Sequence, residues 1–234
     1  MKFIQYLFTL IIFCHEIEPY KILVAFPVGS KSIHNLMSSV GLALAEANHS
    51  VTHLTSFDPY VKHPNIEHLQ PSDFAKHLSF GNLFQHNSQF AFLDWVNTLL
   101  TEIPHKIWKD PEIWKLYERR NDFDAIISTS YANEAILPFL DGYNGSYVIV
   151  CTPGVEYNCL TYSGNWMSGA VIPVINLPFD EFMSFYERVQ NSIAFGIESL
   201  VEKTHLVPNF LKTIRNYFPH FDNVRDSLSR IIYS

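Results

Sequence analysis

KILVAFPV, residues Lys21 to Val28, decides the fold. It is an unbroken apolar run of strand length. A run without polar alternation suits a strand buried on both faces of a parallel sheet. The loop Gly29-Ser30-Lys31-Ser32 follows, and then Leu36, Val40, Leu44 and Ala47 recur at helical spacing. Asn48 and His49 end that helix, and Val51 to Phe57 supplies the next strand. The unit is strand–helix–strand, and its crossover is expected to be right-handed.

Working outward, Asp124 to Thr129 (DAIIST) and Tyr147 to Thr152 (YVIVCT) read as two further central strands. Between the two halves, Asp58 to Leu83 is rich in Pro and His and reads as irregular. A helix is expected over Phe90 to Ile103, interrupted by Pro104, and a second over Ile107 to Arg120. Tyr131 to Leu140 reads as a helix. Another is expected to begin at an Asp180 N-cap and run to about Lys203, with a last strand in Asp226 to Tyr233. Strands alternating with helices predict an α/β fold: a doubly wound, mainly parallel sheet with helices on both faces.

Of 234 residues, 47% are apolar and 17% charged, which is globular and leaves room for one full core. The 19 Phe, 12 Tyr and 4 Trp are read first as core side chains. The net charge is −7, and the densest basic cluster, Lys115 to Arg120, contains Glu118 and reads as a solvated helix face. No nucleic-acid partner is expected. At the N-terminus Lys2 precedes the apolar run Phe3 to Phe13, with polar His15, Glu16 and Glu18 after it. Residues 1–18 therefore read as a secretory signal peptide, which sends the chain to the endoplasmic reticulum lumen or out of the cell. In that compartment Cys151 and Cys159 either bridge their loop or stay two buried thiols; the thiols are the preferred reading. Asn48-His49-Ser50 and Asn144-Gly145-Ser146 are glycosylation sequons. Leu177 to Val201 is broken by Asp180, Glu181, Glu187 and Arg188, so membrane association would need a segment other than this one.

In an open α/β sheet, ligands bind beyond the carboxyl ends of the strands. The two loops there are Gly29 to Asn35 and Thr129 to Glu134. The first is neither G-x-G-x-x-G nor a Walker loop, so it lacks the backbone cradle of a dinucleotide or triphosphate site. It carries Ser32, Ile33 and His34; an imidazole titrates near 6.5 and is a candidate general base. The second carries Thr129, Asn133 and Glu134. Asp124 stands at the wrong end of its strand for this edge. His63, His68, His77 and His86 lack metal-ligand spacing and read as solvated, so no metal is expected. No G-x-S-x-G elbow is present.

Lys21 to Phe57, with its Ser-Lys-Ser-x-His loop and the Asn48-His49-x-Val51-Thr52 step, resembles the opening of the UDP-glucuronosyltransferase type of UDP-glycosyltransferases, especially the arthropod members. Phe123 to Phe139 is similar to that family's FD…Asn-Glu stretch, and Pro173, Phe182, Phe185, Arg188 and Asn191 to its P…M-x-F…R-x-x-N segment. The resemblance implies residues 19–234 as the Rossmann-like, acceptor-binding N-terminal domain of a two-domain enzyme, without the C-terminal domain that holds the UDP-sugar. It implies a small lipophilic hydroxyl acceptor as partner. UDP-sugar is implied as co-substrate only if that second domain is supplied, and no other cofactor. In the family a His takes the acceptor proton and an Asp orients the His. The family's base lies one residue further from the conserved His than His34 lies from His49; that position is Ile33. The Asp position falls on Thr129. The resemblance thus leaves His34 as the base candidate, with Ser32, Ile33, Thr129, Asn133 and Glu134 lining the acceptor cleft.

Overall fold

The apolar run forms β1 (Lys21–Phe26), buried from its second residue onward. The Ser30 hydroxyl accepts from the Ile33 backbone N–H and caps α1 (Lys31–Glu46). Asn48 takes φ 69° and turns the chain into β2 (Ser50–Thr55). β3 (Ile66–Leu69) follows within the stretch expected to be irregular. It is four residues long, too short and too mixed for periodicity to declare it. The computed structural model describes residues 19–70, 89–129, 134–151, 168–174 and 177–221, without the side chains of 89–92. The signal-peptide reading, the last strand, Asn133 and Cys159 lie outside the described residues.

Further on come α2 (Gln89–Trp108), α3 (Pro111–Glu118), β4 (Ala125–Thr129), a 3-10 helix (Glu134–Leu140) and β5 (Ser146–Val150). α4 (Phe185–Val201) passes through a π-helical turn (Glu202–Leu206) into α5 (Val207–Ile214). The strand order is β3-β2-β1-β4-β5 and every pairing is parallel. Two sets of side chains flank the sheet. α1 covers Ile22, Val24, Phe26, Val51 and Ile127. α2, α3, α5 and the 3-10 helix cover Leu23, Ala25, Leu54 and Ile126. Helices on both faces of a parallel sheet make this a Rossmann-like α/β fold.

Several local expectations are corrected. α1 forms where its periodicity places it, but it is rotated. His34, Met37, Ser38, Gly41 and Ala45 are its buried residues, while Leu36 is exposed. Small Ser38, Gly41 and Ala45 let the helix lie close on the strands; a Cβ on Gly41 would stand 1.7 Å from Nε2 of His53. α2 runs through Pro104, because Ile103, Ile107 and Trp108 bury fully on both sides of it and hold the turn that lacks one N–H. The helix expected from Ile107 starts only at Pro111, capped by Asp110, whose carboxylate accepts from Glu112 N–H. The described part of the expected 131–140 helix is 3-10. Ser184, rather than Asp180, caps α4: its hydroxyl and the Glu187 carboxylate form a reciprocal capping box. Cys151 is exposed and disulfide-bonded, so the buried-thiol reading fails. His68 is half-buried, with Nδ1 shielded from water and unpartnered, not a solvated histidine.

Candidate functional site

β1 and β4 are neighbours in register, Ala25 beside Ser128, yet their continuing chains diverge to opposite halves of the sheet. This is the topological switch point, where a crevice opens beyond the carboxyl ends. β1 and β4 end at this one edge, at Phe26 and Thr129. Asp124, at the other edge, accepts the Lys21 N–H at 2.7 Å and ties β4 to β1.

The expected site residues divide between the two faces. Ser32 is exposed on the first turn of α1, its hydroxyl 2.7 Å from that of Ser30. Ile33 is half-buried against Gly29. His34 turns inward toward β2. Its Nδ1 lies 3.3 Å from the Thr55 hydroxyl, and its ring stacks on Phe57 at 4.9 Å and touches Phe26 at 5.7 Å. Nε2 is buried with no partner at hydrogen-bonding geometry. Burial holds the ring's pKa below 6.5. The Asp58 backbone pulls the other way, His68 adds to the lowering, and the Asp58 carboxylate again opposes it.

On the other side of the switch point Thr129 is buried at the end of β4. Glu134 opens the 3-10 helix and faces a small cavity walled by Leu99, Ile103, Pro104 and Phe210. One of its carboxylate oxygens is buried without a partner, and burial, with Glu202 nearby, pushes its pKa up to about 7. The structure therefore places Ser32, Ile33 and His34 together on the first turn of α1, and Thr129 at the end of β4, two strands from Thr55, which His34 meets. Glu134 lies under α2 and α5, on the face away from His34.

The pattern reading missed what surrounds His34. Thr55, Phe57 and Tyr60 come from the end of β2, and His53 and His68 extend the cluster along β2 and β3. His53 is fully buried, neither ring nitrogen has a partner, and burial lowers its pKa from 6.5 to about 4. One signal was legible: His53 stands two residues from Val51 and next to Leu54 in a strand read as lying beside β1, where burial is expected. Among the described residues no three His, Cys, Asp or Glu side chains are grouped to hold a metal ion, and no helix is long and apolar enough to cross a membrane.

Fold and edge define an α/β protein of the doubly wound, Rossmann-like class. The chain matches no family model. Among curated proteins it is similar to UDP-glycosyltransferase UGT5 of Dactylopius coccus, 24% identical over 226 residues, or 91% of this chain and 42% of the relative. The chain thus spans about two fifths of that protein's length. The likeness supports kinship with the UDP-glycosyltransferases.

The R-x-x-N part of the resemblance has a structural role. Asn191 is fully buried. It accepts the Val174 N–H at 2.8 Å and donates to the Gly169 and Ile172 carbonyls at 2.6 and 2.8 Å. Arg188 donates to the Met183 and Ala170 carbonyls. Together they fasten the 168–174 loop to α4.

Proposed function

We propose that residues 19–234 form the acceptor-binding half of a UDP-glycosyltransferase of the secretory pathway. It would hold a small lipophilic hydroxyl compound at the shared edge of β1 and β4, against a facing domain that carries the UDP-sugar. The observation that carries this reading is the β3-β2-β1-β4-β5 order, whose switch point between β1 and β4 lies at the edge where the helix of His34 begins. The likeness to a UDP-glycosyltransferase over nearly the whole chain supports it.

In this reading the His34 Nδ1–H donates to Thr55, which leaves the Nε2 lone pair free; burial keeps the ring neutral at pH 7. Nε2 takes the acceptor's hydroxyl proton. The oxygen then attacks the anomeric carbon from the face opposite UDP, and UDP leaves with the electron pair of the broken bond, inverting that centre. Ser32, Ile33, Thr129 and Asn133 would line the acceptor side; Glu134, turned to the other face under α2 and α5, would not.

One observation favours a second reading, a binding module without turnover. The partner that orients His34 is a neutral hydroxyl, which cannot stabilise an imidazolium as a carboxylate does. The test is transfer from radiolabelled UDP-glucose or UDP-glucuronic acid to 1-naphthol by this chain joined to the C-terminal, UDP-sugar-binding domain of a UDP-glycosyltransferase. Turnover that His34→Gln abolishes, with an unchanged circular dichroism spectrum, supports the glycosyltransferase. Saturable 1-naphthol binding without turnover supports the binding module. Neither turnover nor binding overturns both.

A further inference from the structure

α4 shows two opposite faces. One holds Asn191 and Arg188, which fasten it to the 168–174 loop, and buries Ala194. The other carries Tyr186, Val189, Ile193, Ile197 and Leu200, all exposed, with Tyr186 at 70%, Ile193 at 59% and Leu200 at 62%. Phe185 at 82% and Phe182 at 83% extend this stripe at its start. Together these side chains expose on the order of 800 Å², beyond the largest apolar patch of an ordinary monomer and near one partner's share of a standard interface.

The spacing is symmetric. Apolar residues lie four and seven positions to either side of Ile193. A two-fold axis through Ile193, perpendicular to the helix, sets Ile193 on its own copy, Val189 on Ile197 and Tyr186 on Leu200. Such self-complementarity is what an isologous contact requires. Gly196, beside the stripe, has open space where a Cβ would stand, so a second helix can approach closely. The stripe's flanks are Gln190, Ser192 and Gly196, and the chain carries −7, so the basic flanks that draw an amphipathic helix to anionic lipid are missing.

We propose that α4 pairs antiparallel with α4 of a second copy of this chain, centred on Ile193. This does not rest on the glycosyltransferase reading. The test is sedimentation velocity of the full chain, with cysteine cross-linking for register. The chain sediments as a dimer, and Ile193→Glu, a change at an exposed position, weakens the dimer by at least about a hundredfold. Under air oxidation Ile193→Cys forms a disulfide-linked dimer above the wild-type background. Leu200→Cys does so only when mixed with Tyr186→Cys. A monomer at about 100 μM overturns the proposal. So does a dimer indifferent to Ile193→Glu, or Leu200→Cys cross-linking alone as readily as Ile193→Cys. A monomer that floats with phosphatidylcholine vesicles assigns the stripe to lipid instead and overturns it equally.

Discussion

The two faces of the sheet are packed with rings of different kinds. Under α2, α3 and α5, Trp108 meets Trp114, Phe218 and Phe139 at centroid distances of 4.6–5.6 Å. The polar handles there are satisfied: Trp108 Nε1 donates to the Ala135 carbonyl, Trp114 Nε1 to the Trp108 carbonyl, and the Tyr143 hydroxyl to the Phe123 carbonyl. Under α1 the rings are Phe26, His34, His53 and His68, and four of the six imidazole nitrogens are buried without a partner. An aromatic face with paired handles contributes stability. An imidazole face with unpaired ones costs it, at the edge where a ligand would sit. The comparison teaches that, Glu134 apart, the polar exceptions among the described residues gather on the face that holds the candidate base.

The largest way to break this contrast is Trp108→Ala. It should cost about 3–5 kcal/mol in urea unfolding, because the site is fully buried and ringed by large neighbours that cannot collapse inward. A loss under about 1 kcal/mol would mean that this face is not the packed core.

Next is acid. His53 has a folded-state pKa of about 4 against 6.5 unfolded, so as pH falls the unfolded chain takes the proton first. The stability of the neutral ring is whole above 6.5 and is lost as pH drops from there toward 4, by about 3 kcal/mol. His34 adds to the same trend. Urea midpoints between pH 7 and 4 should show the fall, and His53→Leu should flatten much of it. An unchanged slope in His53→Leu would place the titration elsewhere.

Smallest is Gly41→Ala. Helix propensity favours alanine by about 1 kcal/mol, but its Cβ would overlap His53 and force that ring to move, so a net loss of about 1–2 kcal/mol is expected. Combined with His53→Ala, the loss should disappear. Additive losses in the double variant would sever α1 from the imidazole cluster.

Much of the fold was legible because parallel-sheet strands are apolar runs. KILVAF, AIIST and the YVIV run each fell on a strand; SVTHLT, with only Val51 and Leu54 apolar, was placed by its position after the first helix. Asp124 was read correctly as standing at the wrong edge. The Ser184–Glu187 capping box was readable but passed over for Asp180. Helix α2 could not be followed through Pro104 from local preference, because the burial of Ile107 and Trp108 outweighs the lost hydrogen bond. Of the site, the edge at which β1 and β4 end was readable from strand order. The environment of His34 was not, because Thr55, Phe57 and Tyr60 lie more than twenty residues away in sequence.

The sequence by itself determined that buried strands alternate with helices, and hence a parallel sheet with a crevice at one edge. Only the tertiary structure decided which way α1 is turned. Apolar periodicity marks Leu36, Val40 and Leu44 as the inner stripe, yet the helix seats on Ser38, Gly41 and Ala45. Close approach to the sheet rewards small residues there, and whether His34 points outward or into the protein follows from that rotation.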